Sequence, residues 1–295
     1  MAKTISIEPQ INEINRLVIE EQGQNSAKVD WLDRKIEKLG PSIARQKSAA
    51  IEPLSRVVLD SRLPLKTRIF CINFLGLIDD PGTFPIFSQV LLDSSQQDAL
   101  RSAAASLLSH APVSTGAMRK VLCRNFSQKN LPELTFSQTL FEISKIGCPQ
   151  ADLLLKQAQD FGDNPTGQKK VLAELSVQAL GESFSLKAPE ALWRLFSFYA
   201  PGSRMRRGVL KALLNQSRRE LPRAYVFLTQ ARGAVSSESR FPDNEVLALE
   251  VLSSLGGKDV IPDIQRELKN PSPVVRDAAE KALKKPVDEK KTRAG

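Results

Sequence analysis

Along most of this chain the apolar positions return at three, four and seven residues, the spacing that places them on one side of an α-helix. The pattern also recurs on a larger scale. Three segments superpose: LDSRLPLKTRIFCINFLGLIDD from Leu59, LLDSSQQDALRSAAASLLSH from Leu91 and LKNPSPVVRDAAEKALKK from Leu268. With Arg68, Arg101 and Arg276 in one column, Cys71, Ala104 and Ala279 follow three residues later, and Leu75, Leu108 and Leu283 seven later. Positions two and six beyond the arginine are Phe70 and Phe74, Ala103 and Leu107, and Ala278 and Ala282. Each copy predicts one apolar helical stripe, with a small residue where a neighbouring helix comes close.

A second helix precedes the arginine-bearing one. Pro53 is followed six residues later by Leu59, Pro85 by Leu91, and Pro262 by Leu268. Each proline is expected in the first turn of its helix, where no intrahelical N–H bond is needed. Leu75-Gly76 and Leu255-Gly256 read as a helix end followed by a glycine stop. Asp60, Asp93 and Asn270 read as side-chain acceptors that cap the arginine-bearing helix. The unit is therefore a helical hairpin, clearest over 51–108 and 247–285. Its return predicts a stack with open sides, which favours binding along a surface over chemistry in a central pocket.

The hairpin resembles the HEAT-like repeat family, on FLGLIDDPGTFPIFSQVLLDSSQQDALRSAAASLL and SLGGKDVIPDIQRELKNPSPVVRDAAEKAL. The resemblance implies an all-α fold, a right-handed α-solenoid of stacked helical hairpins, and a role in binding without any one activity. It also implies that the column arginine bonds an acceptor in the neighbouring turn. Between the clear copies the pattern degenerates. There the pairs are read as LPELTFSQTLFEISKIG with PQADLLLKQAQDFG, GQKKVLAELSVQALG with APEALWRLFSFY, and SRMRRGVLKALLNQ with ELPRAYVFLTQARG. The Trp, Leu-Gly and Tyr spacing of tetratricopeptide repeats is missing. Residues 1–285 are read as a single HEAT-like solenoid. Its first 50 residues supply N-terminal capping helices, around 11–21 and 28–39, because a solenoid end otherwise exposes its core. The loop SSESRFPDNE (236–245) reads as a flexible joint, and 286–295 as a charged, flexible C-terminal tail.

Composition narrows the class. Apolar residues are 41% of the 295, enough for a sizeable core. Cys71, Cys123 and Cys148 are widely spaced and form no Cys-x-x-Cys pair, so they read as small buried thiols in a reducing cytoplasm. Glu8, Glu13, Glu20 and Glu21 interrupt the N-terminal segment, which does not read as a signal peptide. No apolar run reaches membrane-spanning length.

Charge is unevenly spread. Residues 1–110 hold 13 Lys/Arg and 13 Asp/Glu, whereas 111–295 hold 29 and 20, the whole net charge of +9. Such a basic half suggests an acidic partner: nucleic acid, an anionic membrane surface or an acidic protein. Residues 194–232 concentrate it: Arg194, Arg204, Arg206, Arg207, Lys211, Arg218, Arg219, Arg223 and Arg232 stand against Glu220 alone. At 100° per residue, Arg204, Arg207, Lys211 and Arg218 share one side of a helix, opposite Val209, Ala212 and Leu213. With Arg219 and Arg223 they form the candidate partner or nucleic-acid surface, since arginine suits bidentate phosphate and carboxylate contacts. Arg206 falls in the structural column of Arg68, Arg101 and Arg276, three before Val209 and seven before Leu213. Trp193, Phe196, Phe198, Tyr199, Tyr225 and Phe227 lie nearby. Rings of this kind stack on bases in single-strand binders, but their helical spacing with Leu192 and Leu195 favours the core.

Catalytic sets are hard to assemble. His110 is the one histidine, at a helix end beside Ala111-Pro112, and reads as a surface or C-cap residue. The repeated His-Glu pairs of helical-repeat metalloenzymes are missing, as are a nucleophile elbow, a Walker loop and a dinucleotide fingerprint. Asp79-Asp80 reads as a solvated cap. No catalytic residue, metal or cofactor is assigned. The first expectation is a non-enzymatic adaptor for an acidic protein partner. The alternative is a nucleic-acid-binding solenoid. The resemblance extends that alternative to DNA glycosylases built from HEAT-like repeats, for which Glu190 near Trp193 is the sole loose acidic candidate. Lyases or isomerases of bilin-type chromophores form a third class, without a suitably flanked thiol here.

Overall fold

The structure, a computed structural model, describes residues 7–22, 24–218 and 227–284. All described regular elements are helical, and the chain divides into two compact units, Met1–Glu142 and Ile143–Gly295. The N-terminal unit begins with α1 (Glu8–Glu21), α2 (Ser26–Glu37) and the short α3 (Gly40–Ala44). Asn25 caps α2 through Oδ1, which accepts from Lys28 N at 3.0 Å. Hairpins α4 (Ile51–Leu59) with α5 (Leu65–Gly76) and α6 (Phe84–Leu92) with α7 (Asp98–Leu108) follow, then α8 (Thr115–Phe126) and α9 (Glu133–Ile146), in which the division falls. Helix α5 packs on α7 and α6 on α8, so like helices of successive hairpins lie side by side. Helices α1 and α3 rest on α5. Lys66 of α5 ties α1 and α2 to it, reaching Glu21 at 2.5 Å and Asp33 at 2.7 Å.

The C-terminal unit contains α10 (Ala151–Asp160), α11 (Gly167–Glu182), α12 (Ala188–Phe198), α13 (Arg204–Arg218), α14 (Leu228–Ser237), α15 (Pro242–Leu255), α16 (Ile261–Glu267) and α17 (Pro273–Lys284). The hairpins are α10–α11, α12–α13, α14–α15 and α16–α17, one helix out of phase with the pairing read from the degenerate stretch. A signal for the true phase was available. Pro189, in the first turn of α12, is followed six residues later by Leu195 and then by Arg206 on α13, which repeats the proline–leucine–arginine order. The second helices α11, α13, α15 and α17 pack on one another in sequence. Among the first helices, α10 packs closely on α12. This is the stacked-hairpin arrangement of a HEAT-like fold.

The repeat columns explain the packing. Cys71, Ala104 and Ala279 are wholly buried, as are Leu75 and Leu108. Each such leucine contributes about 2 kcal/mol by leaving water. Pro53, Pro85 and Pro262 all stand in first turns. Two details differ from the sequence reading. Gly76 is the last residue of α5, not the first beyond it, and a Cβ there would stand 2.4 Å from Leu107, so α7 needs the space. Gly256 does end α15, yet the same test puts Val260 at 1.9 Å. The short acceptors also act otherwise. Asp60, Asp93 and Asn270 each accept the backbone N–H two residues on, from Arg62, Ser95 and Ser272, at 2.9–3.0 Å. They close Asx-turns between the helices and do not cap the next one.

Candidate functional site

Arg206 sits under the basic face, not on it. Its Nε donates to Tyr199 O at 2.7 Å and its Nη1 to Glu238 Oε1 at 2.5 Å, while the guanidinium lies 4.3 Å from the Phe196 ring centroid. Glu238 is completely buried. Its second oxygen accepts from Gly202 N at 2.9 Å and Asn244 Nδ2 at 2.8 Å. Gly202 holds φ +71°, and the Phe241 ring lies 2.3 Å from where a Cβ would stand, so only glycine fits this turn. Thus the segment 236–245, read as a joint, is bonded on both sides. In the N-terminal unit the column arginines do the same with neutral acceptors. Arg68 Nε donates to Val58 O at 2.8 Å and Arg101 Nε to Leu91 O at 3.0 Å. Their outer nitrogens bond Gln96, and Asn125 and Gln128, respectively. Arg276 donates to the carbonyls of Asn270 and Pro271.

The exposed side of α13 forms one wall of a groove of about 720 Å³, with α11 as the other wall. Four positions one or two turns apart line it on α13: Arg204, Gly208, Lys211 and Asn215, with Arg207 beside them. Facing them on α11 are Glu174, Gln178 and Glu182, again at intervals of one turn. Val177, Met205 and Ala212 make an apolar floor. Gly181 permits the close helix contact, because a Cβ there would lie 2.9 Å from that of Ala212. Asn244 of α15 and Asn215 of α13 both tie neighbouring helices: Asn215 Nδ2 donates to Gly181 O at 3.0 Å and Glu182 Oε1 at 2.7 Å.

Carboxylates from other hairpins reach much of the basic cluster. Arg204 pairs with Glu174 at 3.0 Å and Arg207 with Asp243 at 2.8 Å, the latter also donating to Asn244 Oδ1. Arg232 pairs with Asp263 at 2.7 Å. Lys211 and Arg218 are exposed and form no ion pair among the described residues, as does Arg194 on α12. Arg204, Arg207 and Lys211 thus meet in one groove, and Arg218 lies at the end of the same helix. Arg219, Arg223 and Tyr225, like the tail 286–295, lie outside the described residues.

The other candidates scatter. Trp193, Phe196 and Tyr199 are buried, with Trp193 edge-on to Phe196 at 5.6 Å, so these rings present no stacking surface. Glu190 is exposed, whereas Trp193 is buried. His110 lies two residues past the end of α7, and its Nδ1 stands 2.9 Å from Ser106 O, at the carbonyl end of the helix. The three cysteines are buried. No described helix is long and apolar enough to cross a membrane, and no three described His, Cys, Asp or Glu gather as a metal site.

Sequence reasoning missed Glu245, in the first turn of α15 and 1% exposed. Its Oε1 accepts from Asn270 Nδ2 at 2.7 Å, and the same nitrogen donates to Glu267 Oε2 at 2.8 Å. Glu245 Oε2 is buried without a partner. Burial first, and then the Glu267 charge, push its carboxyl from 4.5 up to about 7. The sequence of α15 gave no hint, because Glu245 stands with Asp243 as an acid in the first turn, where a helix N-terminus ordinarily carries one.

No protein-family model matches the chain, and no curated protein matches it. Among solved structures it is similar to human deoxyhypusine hydroxylase in complex with glycerol. That match has 15% identity and a TM-score of 0.39, and covers 93% of this chain and 95% of the other.

Proposed function

We propose that the protein is a non-enzymatic adaptor that holds an acidic protein partner along the α11–α13 groove of its C-terminal unit. The observation that carries the reading is the groove itself: an open channel between two second helices, with an apolar floor and Lys211 unpaired at its centre. A polypeptide can satisfy such a mixed surface with alternate apolar and charged side chains. A nucleic acid, the competing partner, is less well served. Glu174 and Glu182 stand in the groove, and Arg204, Arg206, Arg207 and Arg232 already neutralise carboxylates. The count of phosphates such a face could neutralise falls accordingly, and with it the expected salt dependence.

The test is capture on the immobilised chain from nuclease-treated lysate, in parallel with a variant carrying Lys211→Glu and Arg218→Glu. Arg204, Arg206 and Arg207 are left intact because they pair with carboxylates outside α13. A protein retained by the parent and lost by the variant is the expected result. Recovery of nucleic acid alone from untreated lysate, released steeply as salt rises, would overturn the proposal in favour of the competing one.

A further inference from the structure

We infer that the centre of this groove receives one acidic side chain from a polypeptide segment that crosses α13 at Gly208, an inference that rests on the binding role proposed above. Gly208 lies in the interior of α13, where glycine is less favourable than alanine. Packing within the chain does not require it. A Cβ built there meets only Val177 Cγ1, at 4.0 Å, in ordinary contact. Gly181, across the groove, has a reason of its own in the Ala212 backbone, whose Cα would lie 3.0 Å from the added atom. The missing side chain at Gly208 leaves the backbone of α13 open to the groove, where a partner can approach closely.

The groups around that opening define what approaches. Lys211 is the next turn of the same face and has no carboxylate among the described residues. Gln178, exposed on the opposite wall, supplies an amide with no described hydrogen bond. An ammonium and an amide N–H together suit a carboxylate. The groove's own carboxylates are engaged at its two ends, Glu174 by Arg204 and Glu182 by Asn215. They lie two turns apart on α11, roughly 12 Å. A chain with one negative group fits between them, whereas a polyanion would set further charges against Glu174 and Glu182. Val177, Met205 and Ala212 then receive small or apolar neighbours of the acidic residue.

The experiment pans a displayed random dodecapeptide library on the full chain and measures enriched peptides by fluorescence anisotropy. Expected are peptides with one Asp or Glu beside small or apolar residues. Lys211→Glu, Gly208→Leu, and exchange of the peptide's acid for its amide should each weaken binding about tenfold or more. Gly208→Ala guards against misfolding: it should raise the melting temperature and still weaken the peptide. If Lys211→Glu weakens the peptide but neither Gly208 variant does, the close approach is wrong while groove binding stands. Enriched peptides without an acid, displacement of the peptide by oligo(dT), or no enrichment at all overturn the inference. The lysate capture then still decides the wider role.

Discussion

Replacing Glu245 by Gln should make the C-terminal hairpins more stable, and by an amount that depends on pH. Burial holds the folded-state carboxyl at about 7 against an ordinary 4.5. Between those values the folded chain keeps a proton that the unfolded chain has released. Stability contributed by this group is therefore complete below pH 4.5, is lost as pH rises through the window, and stays lost above it. The full difference corresponds to about 3 kcal/mol, of which some 2–3 kcal/mol falls between pH 5 and 8. Glutamine keeps the Oε1 acceptor for Asn270 and offers an N–H toward Glu267, without the charge.

The facing groups do not reverse the sign. Asn270 is neutral and Glu267 adds negative charge, while Arg276 is committed to the Asn270 and Pro271 carbonyls. Carboxylates held low, such as Glu13 and Asp60 at about 2, titrate below the window and cancel in the comparison. Stacked hairpins can unfold in parts, so the assay is amide hydrogen exchange in α15–α17, corrected for intrinsic rates. The variant should match the parent near pH 5 and exceed it by about 2–3 kcal/mol in opening free energy near pH 8. A difference that stays constant across this range would falsify the reasoning, because Glu245 would then titrate as an ordinary carboxylate.

Arg206→Met should cost about 3–5 kcal/mol, since it leaves the Glu238 carboxylate buried and without its cation. Adding Glu238→Gln should recover much of that loss, and the non-additivity read from urea titrations of the two singles and the double checks the pairing. The Cys71 thiol, pushed up to about 12 by burial, should resist a thiol-specific reagent at pH 8 in the folded chain and react once urea unfolds it; rapid native labelling would contradict the burial.

Much of the fold was legible because hairpin packing is dictated by local residues. The Arg68, Arg101 and Arg276 columns place small and apolar groups correctly, since each describes one helix and its immediate turn. The phase of the degenerate hairpins was misread because helix order alone does not say which turn is tight. The proline at 189 carried that information. Asx-turns and caps were confused for a related reason: both put a short acceptor between helices, and only the bonded N–H tells them apart.

The basic cluster needs a different kind of reading. Along the chain, residues 194–232 gather nine cations against one acid. In space, carboxylates arrive from one hairpin away. Arg204 meets Glu174, Arg206 meets a residue 32 positions on, Arg207 one 36 on and Arg232 one 31 on. The neutral partners obey the same interval, with Gln96 at 28 from Arg68 and Gln128 at 27 from Arg101. In a stack of hairpins the electrostatic neighbour of a residue is thus its counterpart in the adjoining repeat, not the residue beside it in sequence. A local sum overstates a patch whenever the next repeat carries the opposite sign. Summed at the repeat interval, the cluster yields unpaired cations at Arg194, Lys211 and Arg218 among the described residues, and Lys211 is the one of these that lines the groove. That is why we propose a single acidic side chain, and not a long anionic strand, as the occupant.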